Sequence, residues 1–383
     1  LWMRIGIFTN NYLPVRGGVA ASTEILRNNL NAQGHTPYVF APRFSGYTDL
    51  SPDVFRYPSI PALTYPEFPL AIPFSPGIAR AVRDLRIDIF HAHHPFLLGQ
   101  AARRLARRFG RPLVFTYHTR YEKYAHYVPF PRRVVERVAI RRSSAFASQA
   151  DLVIAPSQWV RRFLMEQGVS RPITVLPTGV EVDVFTPGDQ AVARRSLGLP
   201  LAGPLLLSVG RLDREKSLDL LLTAFAHIAT AIPQGRLLLV GQGKETTRLK
   251  ALGRRLGCGD RIDFVGGLPR EALPAYYRAA DLLLFTSLTE TQGLVLSEAH
   301  ACGLPAVAVR APGVDETIRD GETGFLTKPD TRELAESALR LLLDSPGRRA
   351  MGEKARQLAE QEFSAHRQVR KLLTLYESTL QGG

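Results

Sequence analysis

Short apolar runs that alternate with longer amphipathic stretches govern which fold this sequence can adopt. Each run is bounded by Gly, Pro or polar residues, as buried parallel strands are, and the stretches between them have helical periodicity. Strands are predicted at 3–9, 38–41, 87–94, 113–118, 151–155 and 173–179, and again at 205–209, 236–240, 262–265, 282–285 and 306–309. Strands that alternate with helices form parallel sheets covered on both faces, so we predict an α/β protein with doubly wound sheets.

The alternation stops near residue 186 and then restarts, which predicts two domains. A length of 383 residues also exceeds what one ordinary hydrophobic core supports. We predict a Rossmann-like first domain over residues 1–186 and a Rossmann-like second domain over 187–363, with the linker between Pro177 and Gly188. A C-terminal helix over 364–383 is predicted to pack back on the first domain.

The positive charge of the chain is concentrated in its first half. The net charge is +14, and residues 1–186 carry 23 Lys and Arg against 12 Asp and Glu. Such a balance indicates an anionic partner, which can be nucleic acid, a lipid surface or a phosphorylated substrate. The two cysteines are too few for a disulfide framework, which favours a reducing cytoplasmic location. No apolar run is long enough to cross a bilayer.

An arginine-rich helix is predicted at 100–111, in the basic half of the chain. Its arginines recur at helical spacing and form one basic face, which suits an anionic membrane surface. A solvated charged face is the alternative. The arginines of this face are Arg103, Arg104, Arg107 and Arg108.

Several loops of the first half follow predicted strands, where α/β proteins bind their ligands. Gly17 and Gly18 would let the backbone approach a ligand closely. The histidines of 91–94 allow a zinc interpretation, but no second ligand cluster lies nearby in the sequence. After the strand at 113–118, the loop is unusually rich in aromatic and histidine side chains, which either contact a ligand or pack under the surface. They include His118, Tyr121, Tyr124 and His126.

In the second half, four loops of ligand-binding type follow four predicted strands. Arg211 and Lys216 lie at the start of a helix, where a guanidinium fork and an ammonium group suit a pyrophosphate. Gly241 belongs to a second glycine turn, and the strand end near Leu268 could contact a planar base. Each signal is weak alone, and their combination predicts a nucleotide site.

The fourth loop joins the strand at 282–285 to a helix predicted at 293–301. Glu290 falls in the turn and Glu298 in the helix, on either side of a helix N-terminus that suits phosphate. One carboxylate on each side of a bound phosphate could hold the hydroxyl groups of a nucleotide sugar. Two solvated glutamates on a helix surface are the alternative.

Taken together, these motifs resemble those of the family 4 retaining glycosyltransferases. The matching motifs are the Gly-Gly-Val loop at 17–19, G-R-L-x-x-E-K at 210–216, V-G-x-G at 240–243 and E-x₇-E at 290–298. The resemblance covers nearly the whole chain. It implies the GT-B fold, in which two Rossmann-like domains face each other across a cleft, and a UDP-sugar donor.

The resemblance also implies roles for individual residues. Arg211 and Lys216 would neutralise the leaving diphosphate, and His118 would contact the transferred sugar from the opposite domain. Glu290 would hold sugar hydroxyls, and Glu298 would hold ribose hydroxyls. The expected donor-binding set is Gly17, Gly18, Gly241, Leu268, Thr291, Gly293, Leu294, Val295 and Glu298. No essential metal or cofactor is expected, because no D-x-D occurs and the two cations can replace a metal.

Two segments resemble the diacylglycerol glucosyltransferases of this family more closely. They are T-Y-H-T-R-Y-E-K-Y-A-H-Y at 116–127 and T-E-T-Q-G-L at 289–294, although Gln292 stands where the family more usually has Phe. The resemblance implies transfer of a hexose to a membrane lipid, with Tyr121, Tyr124, His126 and the arginine face on the acceptor and membrane side. The enzyme would then lie on the inner face of the membrane.

Three alternatives remain open from the sequence. A soluble family 4 transferase could use a small sugar, a polyol or a polysaccharide. A retaining glycosidase would need two carboxyl groups about 5 Å apart, which the spacing of Glu290 and Glu298 permits, but it needs no phosphate clamp. A nucleic-acid-binding protein would need base-stacking platforms or a recognition helix, and we identify neither.

Overall fold

The computed structural model describes residues 2–15, 17–62, 69–123 and 130–382, which form two compact units. The strands of the first unit are Arg4–Phe8 (β1), Thr36–Pro42 (β2), Val54–Tyr57 (β3), Ser59–Ile60 (β4), Leu70–Ala71 (β5), Ile89–Ala92 (β6), Leu113–Thr116 (β7), Leu152–Ala155 (β8) and Ile173–Val175 (β9). Seven of them form a parallel sheet in the order β3-β2-β1-β6-β7-β8-β9, and β4 and β5 form a separate antiparallel pair.

Helices cover both faces of the first sheet because its strands are apolar on both sides. Ile5 and Ile89 contribute to one buried cluster, whereas Phe8 and Phe90 contribute to another, as the alternation of side chains along a strand requires. The helices of this part of the chain are Gly18–Ala32 (α1), Pro76–Leu85 (α2), Leu98–Phe109 (α3), Arg132–Ala147 (α4) and Gln158–Glu166 (α5).

The second unit repeats this plan with a six-stranded parallel sheet in the order β12-β11-β10-β13-β14-β15. Its leucine-rich strands are again buried on both faces. The strands are Leu205–Val209 (β10), Arg236–Val240 (β11), Ile262–Gly266 (β12), Leu282–Phe285 (β13), Ala306–Val309 (β14) and Gly324–Thr327 (β15). The helices are Gln190–Ser196 (α6), Leu218–Ala231 (α7), Thr246–Arg255 (α8), Leu273–Ala279 (α9), Leu294–Ala301 (α10), Thr331–Leu343 (α11) and Ser345–Glu362 (α12).

The unit boundary lies earlier than the sequence suggested. The first unit comprises Leu1–Gly179 and Ala365–Gly383, and the second comprises Val180–Ser364. Residues 180–186 belong to the second unit, because the Val180 N–H donates to the Phe363 carbonyl and Phe185 is buried in the second unit's core. The segment expected to be a linker is therefore largely packed structure.

The C-terminal helix, Ala365–Gln381 (α13), belongs to the first unit. Val369, Leu372, Leu373 and Tyr376 are buried in the same cluster as Met3 and the apolar residues of β1. The chain thus completes the core of its first unit only at its end.

The doubly wound α/β prediction is confirmed, with two differences at the sheet edges. Strands β3 and β15 were not predicted, and each is the last strand at an edge of its sheet as the described residues form it. The stretch from Pro58 to Pro76, expected to be irregular, contains the short β4-β5 pair.

Candidate functional site

Three loops interlock at the carboxyl end of the second sheet. The Gly210 N–H donates to the Val240 carbonyl, and the Gly241 N–H donates to the Gly266 carbonyl at 2.8 Å. Gly241 has φ 144°, and a Cβ built on it would lie 1.8 Å from the Gly210 carbonyl oxygen. The glycine at 241 is therefore required by the close approach of the loops after β10 and β11.

Arg211 is held in place by two buried carboxylates. Its guanidinium donates to Asp213 Oδ2 at 2.7 Å and also to Glu215. Both acidic side chains are only 2% exposed, whereas that of Arg211 is 28% exposed. The other oxygen of Asp213 accepts the Lys244 N–H at 3.0 Å, so this carboxylate also joins the first loop to the second.

Lys216 lies in a short 3-10 helix, Arg214–Lys216, just before α7. Its Nζ is 2.5 Å from Glu290 Oε1, and its backbone carbonyl accepts the Thr286 hydroxyl. Burial alone would raise the pKa of Glu290. The charge and the hydrogen bond of Lys216 together outweigh this effect, so the pKa is lowered from its ordinary value. The two residues form an ionised pair at the ends of β10 and β13.

Glu298 lies on α10 and is buried rather than solvated, with 3% exposure. Its Oε1 accepts from Arg270 Nε at 3.1 Å, and its Oε2 accepts from the Tyr277 hydroxyl at 2.9 Å. Arg270 also pairs with Glu181 and stacks over Phe185 at 4.6 Å. Burial raises the pKa of Glu298 despite the opposing effect of Arg270.

The loop before α10 is fixed by a neighbouring loop of the same unit. Gly293 has φ 85° and precedes the first residue of the helix. The Thr317 hydroxyl donates to the Gln292 carbonyl at 2.9 Å, and a Cβ on Gly313 would lie 2.5 Å from the Thr291 backbone. Thr291 is buried, Leu294 and Val295 are half-buried, and all belong to this ordered turn and first helical turn. Leu268 packs against the apolar core at the end of β12.

In the first unit, His118 follows β7 and is hydrogen-bonded to His93. His118 Nε2 and His93 Nδ1 are 2.8 Å apart, and the two rings stack with centroids 4.8 Å apart. Burial lowers the pKa of His118 to about 4 and holds that of His93 well below its ordinary value. Both rings are therefore neutral near pH 7.

The other two histidines of this segment, His91 within β6 and His94 just after it, have structural partners. His91 lies between the Tyr376 hydroxyl at 2.6 Å and the Thr116 hydroxyl at 2.7 Å. His94 Nδ1 accepts the Asn10 N–H at 3.1 Å. Over the parts of the chain that the structure describes, no three His, Cys, Asp or Glu side chains are grouped so that they could hold a metal ion.

The described residues give no packing explanation for the glycine pair at the start of α1. Gly18 is the first residue of α1, and among the residues that the structure describes nothing lies within 4 Å of a Cβ added to Gly17 or Gly18. A close approach to a ligand remains the prediction for this pair.

The aromatic loop after β7 is only partly described. Tyr121 packs edge-on against Phe96 at 5.2 Å and against Tyr117 at 5.6 Å, so this ring is part of an aromatic cluster. Tyr124 and His126 lie outside the described residues. The residues of the predicted basic face of α3 differ in exposure: Arg103 is half-buried, whereas Arg104, Arg107 and Arg108 are exposed. No helix in the described ranges is long and apolar enough to cross a membrane.

Sequence reasoning missed the groups that hold the charged side chains. Asp213 and Glu215 lie inside the G-R-L-x-x-E-K motif but were given no role. Arg270 and Tyr277 are 28 and 21 residues from Glu298 in the sequence, and no spacing rule connects them with it. Only the buried position of Glu298 shows that it needs such partners, because an unpaired buried carboxylate is costly.

The fold and this arrangement of loops define a class of protein with solved members. A sucrose-phosphate synthase from Thermosynechococcus elongatus superposes over 100% of both chains with a TM-score of 0.85 and 26% identity. HepE from Anabaena, solved with UDP-glucose, superposes over 97% of this chain and 99% of its own with a TM-score of 0.76 and 23% identity. The protein is a glycosyltransferase with the GT-B architecture.

Sequence comparison narrows the class to a family. The model for glycosyltransferase family 4 matches residues 16–184, and the model for glycosyl transferases group 1 matches residues 189–358. An alpha-monoglucosyldiacylglycerol synthase from Streptococcus pneumoniae is 30% identical over 94% of this chain and 83% of its own length. A D-inositol 3-phosphate glycosyltransferase from Acidothermus cellulolyticus is 37% identical over 69% of this chain and 61% of its own. The chain belongs to glycosyltransferase family 4, and its resemblance to the diacylglycerol glucosyltransferases is confirmed.

Proposed function

We propose that this glycosyltransferase moves a hexose, glucose in the first instance, from a UDP-sugar to a membrane lipid such as diacylglycerol, with retention of the anomeric configuration. The acceptor is suggested by two relatives named alpha-monoglucosyldiacylglycerol synthase, from Streptococcus pneumoniae and Acholeplasma laidlawii. The second aligns at 29% identity over 84% of each chain.

The observation that carries the proposal is the cationic pair in the second unit. Arg211 and Lys216 are both positioned by carboxylates of the protein itself, so their charges need little reorganisation when a diphosphate leaves. Preorganised charge of this kind is usually the largest contribution to catalysis of such a step. The Lys216 ammonium has three N–H donors, so it can contact Glu290 and a phosphate oxygen together.

In this proposal the two glutamates bind hydroxyl groups and do not attack the sugar. Glu290 is kept ionised by Lys216 and is suited to accept hydrogen bonds from the sugar. Glu298, which accepts from Arg270 and Tyr277, keeps lone pairs for the ribose hydroxyls. The departing phosphate oxygen helps to deprotonate the acceptor hydroxyl on the same face of the sugar, which gives retention.

The two cations also support a reaction without an essential metal. Together they supply the positive charge that a divalent ion would place on the diphosphate. We therefore expect the transferase activity to persist when a chelator is present throughout the assay. Loss of activity with EDTA and its recovery with Mg²⁺ or Mn²⁺ would contradict this part of the proposal.

A peripheral location on the inner face of the membrane follows from the lipid acceptor and from the charge of the first unit. The exposed arginines of α3 and α4 suit an anionic surface, with about 1 kcal/mol per Lys or Arg near the lipid. Flotation with anionic vesicles tests this location. Binding is expected at low salt and should weaken as salt is added, whereas no binding at low salt favours a soluble acceptor.

A second candidate is a transferase that acts on a small cyclic polyol. It is favoured by several relatives named D-inositol 3-phosphate glycosyltransferase, which are 33–37% identical to this chain over 61–76% of their own lengths. In that case the basic first unit would bind a soluble phosphorylated acceptor.

A donor and acceptor screen that follows nucleotide release separates the candidates. UDP-glucose, UDP-galactose and GDP-mannose would each be tested with diacylglycerol vesicles, with inositol phosphate and with neither. The proposal expects UDP release from UDP-glucose that depends on the vesicles. Release that depends on inositol phosphate alone would establish the second candidate instead.

A further inference from the structure

The hydrogen bond between His118 and His93 joins a partly exposed imidazole ring to an enclosed one. His93 is 1% exposed and directly follows β6, and its backbone N–H donates to the Phe8 carbonyl at 2.8 Å, so the end of β1 fixes its position. His118 is half-buried, and its Nε2 lies 2.8 Å from His93 Nδ1. The inner ring is therefore placed to control the orientation and the proton of the outer ring.

This hydrogen bond contains a single proton, because both rings are neutral near pH 7. Burial lowers the pKa of His118 to about 4, and burial followed by the neighbouring histidines holds the pKa of His93 well below its ordinary value. A neutral imidazole has one N–H and one bare ring nitrogen, and the hydrogen bond at one nitrogen decides where the proton lies. Either His93 Nδ1 donates to His118 Nε2, or His118 Nε2 donates to His93 Nδ1.

The surroundings of His93 favour donation by its Nδ1. The Nε2 of His93 is buried and has no hydrogen-bond partner among the described residues. The ring of His91, centred 4.5 Å from that of His93, bonds through both of its nitrogens to the hydroxyls of Tyr376 and Thr116. Buried N–H groups without an acceptor are rarer in folded proteins than buried acceptors without a donor. The proton of His93 therefore lies on Nδ1, and His118 accepts it at Nε2.

We propose that His93 is a positioning residue that holds His118 in the tautomer with its proton on Nδ1. His118 is then a neutral donor at Nδ1, and it selects a ligand atom with a lone pair, such as a hydroxyl oxygen of the transferred sugar. The two rings stack with their planes 22° apart, which fixes the orientation of this donor as well. The contact of His118 with the sugar rests on the proposed function, whereas the tautomer does not.

Two amide substitutions of His93 separate the hydrogen bond from packing. The side-chain amide of Asn reaches about as far as Nδ1 of a histidine, and the longer amide of Gln reaches about as far as Nε2. His93→Asn can therefore still donate to His118, whereas His93→Gln moves its amide to the buried Nε2 position. His227→Gln, at an exposed position on α7, is the control for loss of a histidine.

The test is long-range proton–nitrogen NMR of the full chain with isotope-labelled histidine, at neutral pH and without donor or acceptor. The two neutral tautomers give different nitrogen shifts and couplings, and the chain has only nine histidines to resolve. His94 is an internal reference, because its Nδ1 accepts the Asn10 N–H at 3.1 Å and its own proton must lie on Nε2. The signal of His118 is assigned by its loss in His118→Gln.

His118 is expected to show the Nδ1–H pattern in the wild type, in His93→Asn and in His227→Gln, and to lose it in His93→Gln. Steady-state kinetics with varied UDP-sugar provide a second measurement. His93→Gln should lower kcat/KM by about tenfold, the scale of one hydrogen bond, and His93→Asn by less than about threefold.

An Nε2–H pattern for His118 in the wild type would overturn the proposal, as would an unchanged His118 pattern in His93→Gln. Equal kinetic losses in the two His93 variants would mean that His93 acts only through packing. The wild-type spectrum decides the tautomer even if His93→Gln does not fold. Because the spectra are recorded without substrates, absence of glucosyltransferase activity leaves the tautomer assignment unaffected.

Discussion

The ammonium group of Lys216 lies 2.5 Å from a carboxylate oxygen of Glu290, a residue 74 positions later in the chain. The pair joins the loop after β10 to the loop after β13, so it forms only when the second sheet is complete. It keeps Glu290 ionised against the effect of burial and aims the lysine at one position. A charge held in this way is suited to a reaction whose main demand is neutralisation of a leaving diphosphate.

Replacing Lys216 by Ala is expected to lower kcat by about 10² or more, because one transition-state charge contact is lost. Lys216→Arg should restore part of the activity, since it keeps the charge but not the shape of the ammonium group. Lys354→Ala removes an exposed lysine on α12 and serves as the control, which should leave kcat unchanged. Unchanged turnover in Lys216→Ala would disprove the role of this cation.

Tyr277→Phe is expected to raise KM for the UDP-sugar more than it lowers kcat. The variant removes the hydroxyl that donates to Glu298 Oε2, so the carboxylate is held only by Arg270 and is less well oriented for the ribose. Glu298→Gln should raise KM for the UDP-sugar by a larger factor than Tyr277→Phe does. Steady-state kinetics with varied donor measures both parameters. If kcat falls and KM stays constant, Glu298 acts on the chemical step and not on donor binding.

Stability of the first unit is expected to fall between about pH 6.5 and pH 4. Burial lowers the pKa of His91 and His94 to about 3 and that of His118 to about 4, so below pH 6.5 the unfolded chain binds protons that the folded unit does not. Each such histidine lowers the free energy of unfolding by up to about 1.4 kcal/mol per pH unit in this window, and the contribution is fully present above pH 6.5.

Tryptophan fluorescence makes this measurement specific to the first unit, because both tryptophans, Trp2 and Trp159, lie in it. Denaturant titrations from pH 7 to pH 4 give the slope of the free energy of unfolding against pH. His94→Gln should reduce the slope by about one proton, whereas His366→Gln, at an exposed position on α13, should not change it. A wild-type free energy of unfolding that is constant over this range would contradict the assignment of neutral buried histidines.

Tyr376→Phe is expected to destabilise the first unit by about 1–3 kcal/mol, because it leaves the buried His91 Nδ1 without its 2.6 Å hydrogen bond. The same fluorescence measurement at pH 7 applies. Thr374→Ala, on the exposed side of the same helix, is the control and should change stability by less than about 0.5 kcal/mol. Equal effects of the two substitutions would mean that α13 contributes only general packing.

The parallel strands could be predicted because their apolar runs are buried on both faces. Leu205–Val209 and Leu282–Phe285 are of this kind, and the structure has both within the predicted bounds. Edge strands carry a weaker signal. Val54–Tyr57 has three half-buried residues, including Arg56, and its composition does not separate it from a loop.

The charged residues of the site could be predicted, but their supports could not. Arg211 and Lys216 stand in a motif with local spacing, whereas the partners of Glu298 come from a segment that packs beside it only in the folded unit. The sequence also left open whether Glu298 is solvated. Its burial depends on helix α10 packing inside the second unit, and no pattern within eight helical residues shows which side faces inward.

The most direct test of the account is the identity of the product made from UDP-glucose and diacylglycerol vesicles. Mass spectrometry of the extracted lipid and proton NMR of the anomeric signal would be recorded for the wild type and for Lys216→Ala. The account predicts a glucosyl diacylglycerol with the α configuration of the donor, and almost none from the variant. A β-linked product, or UDP release with no glycolipid formed, would contradict it.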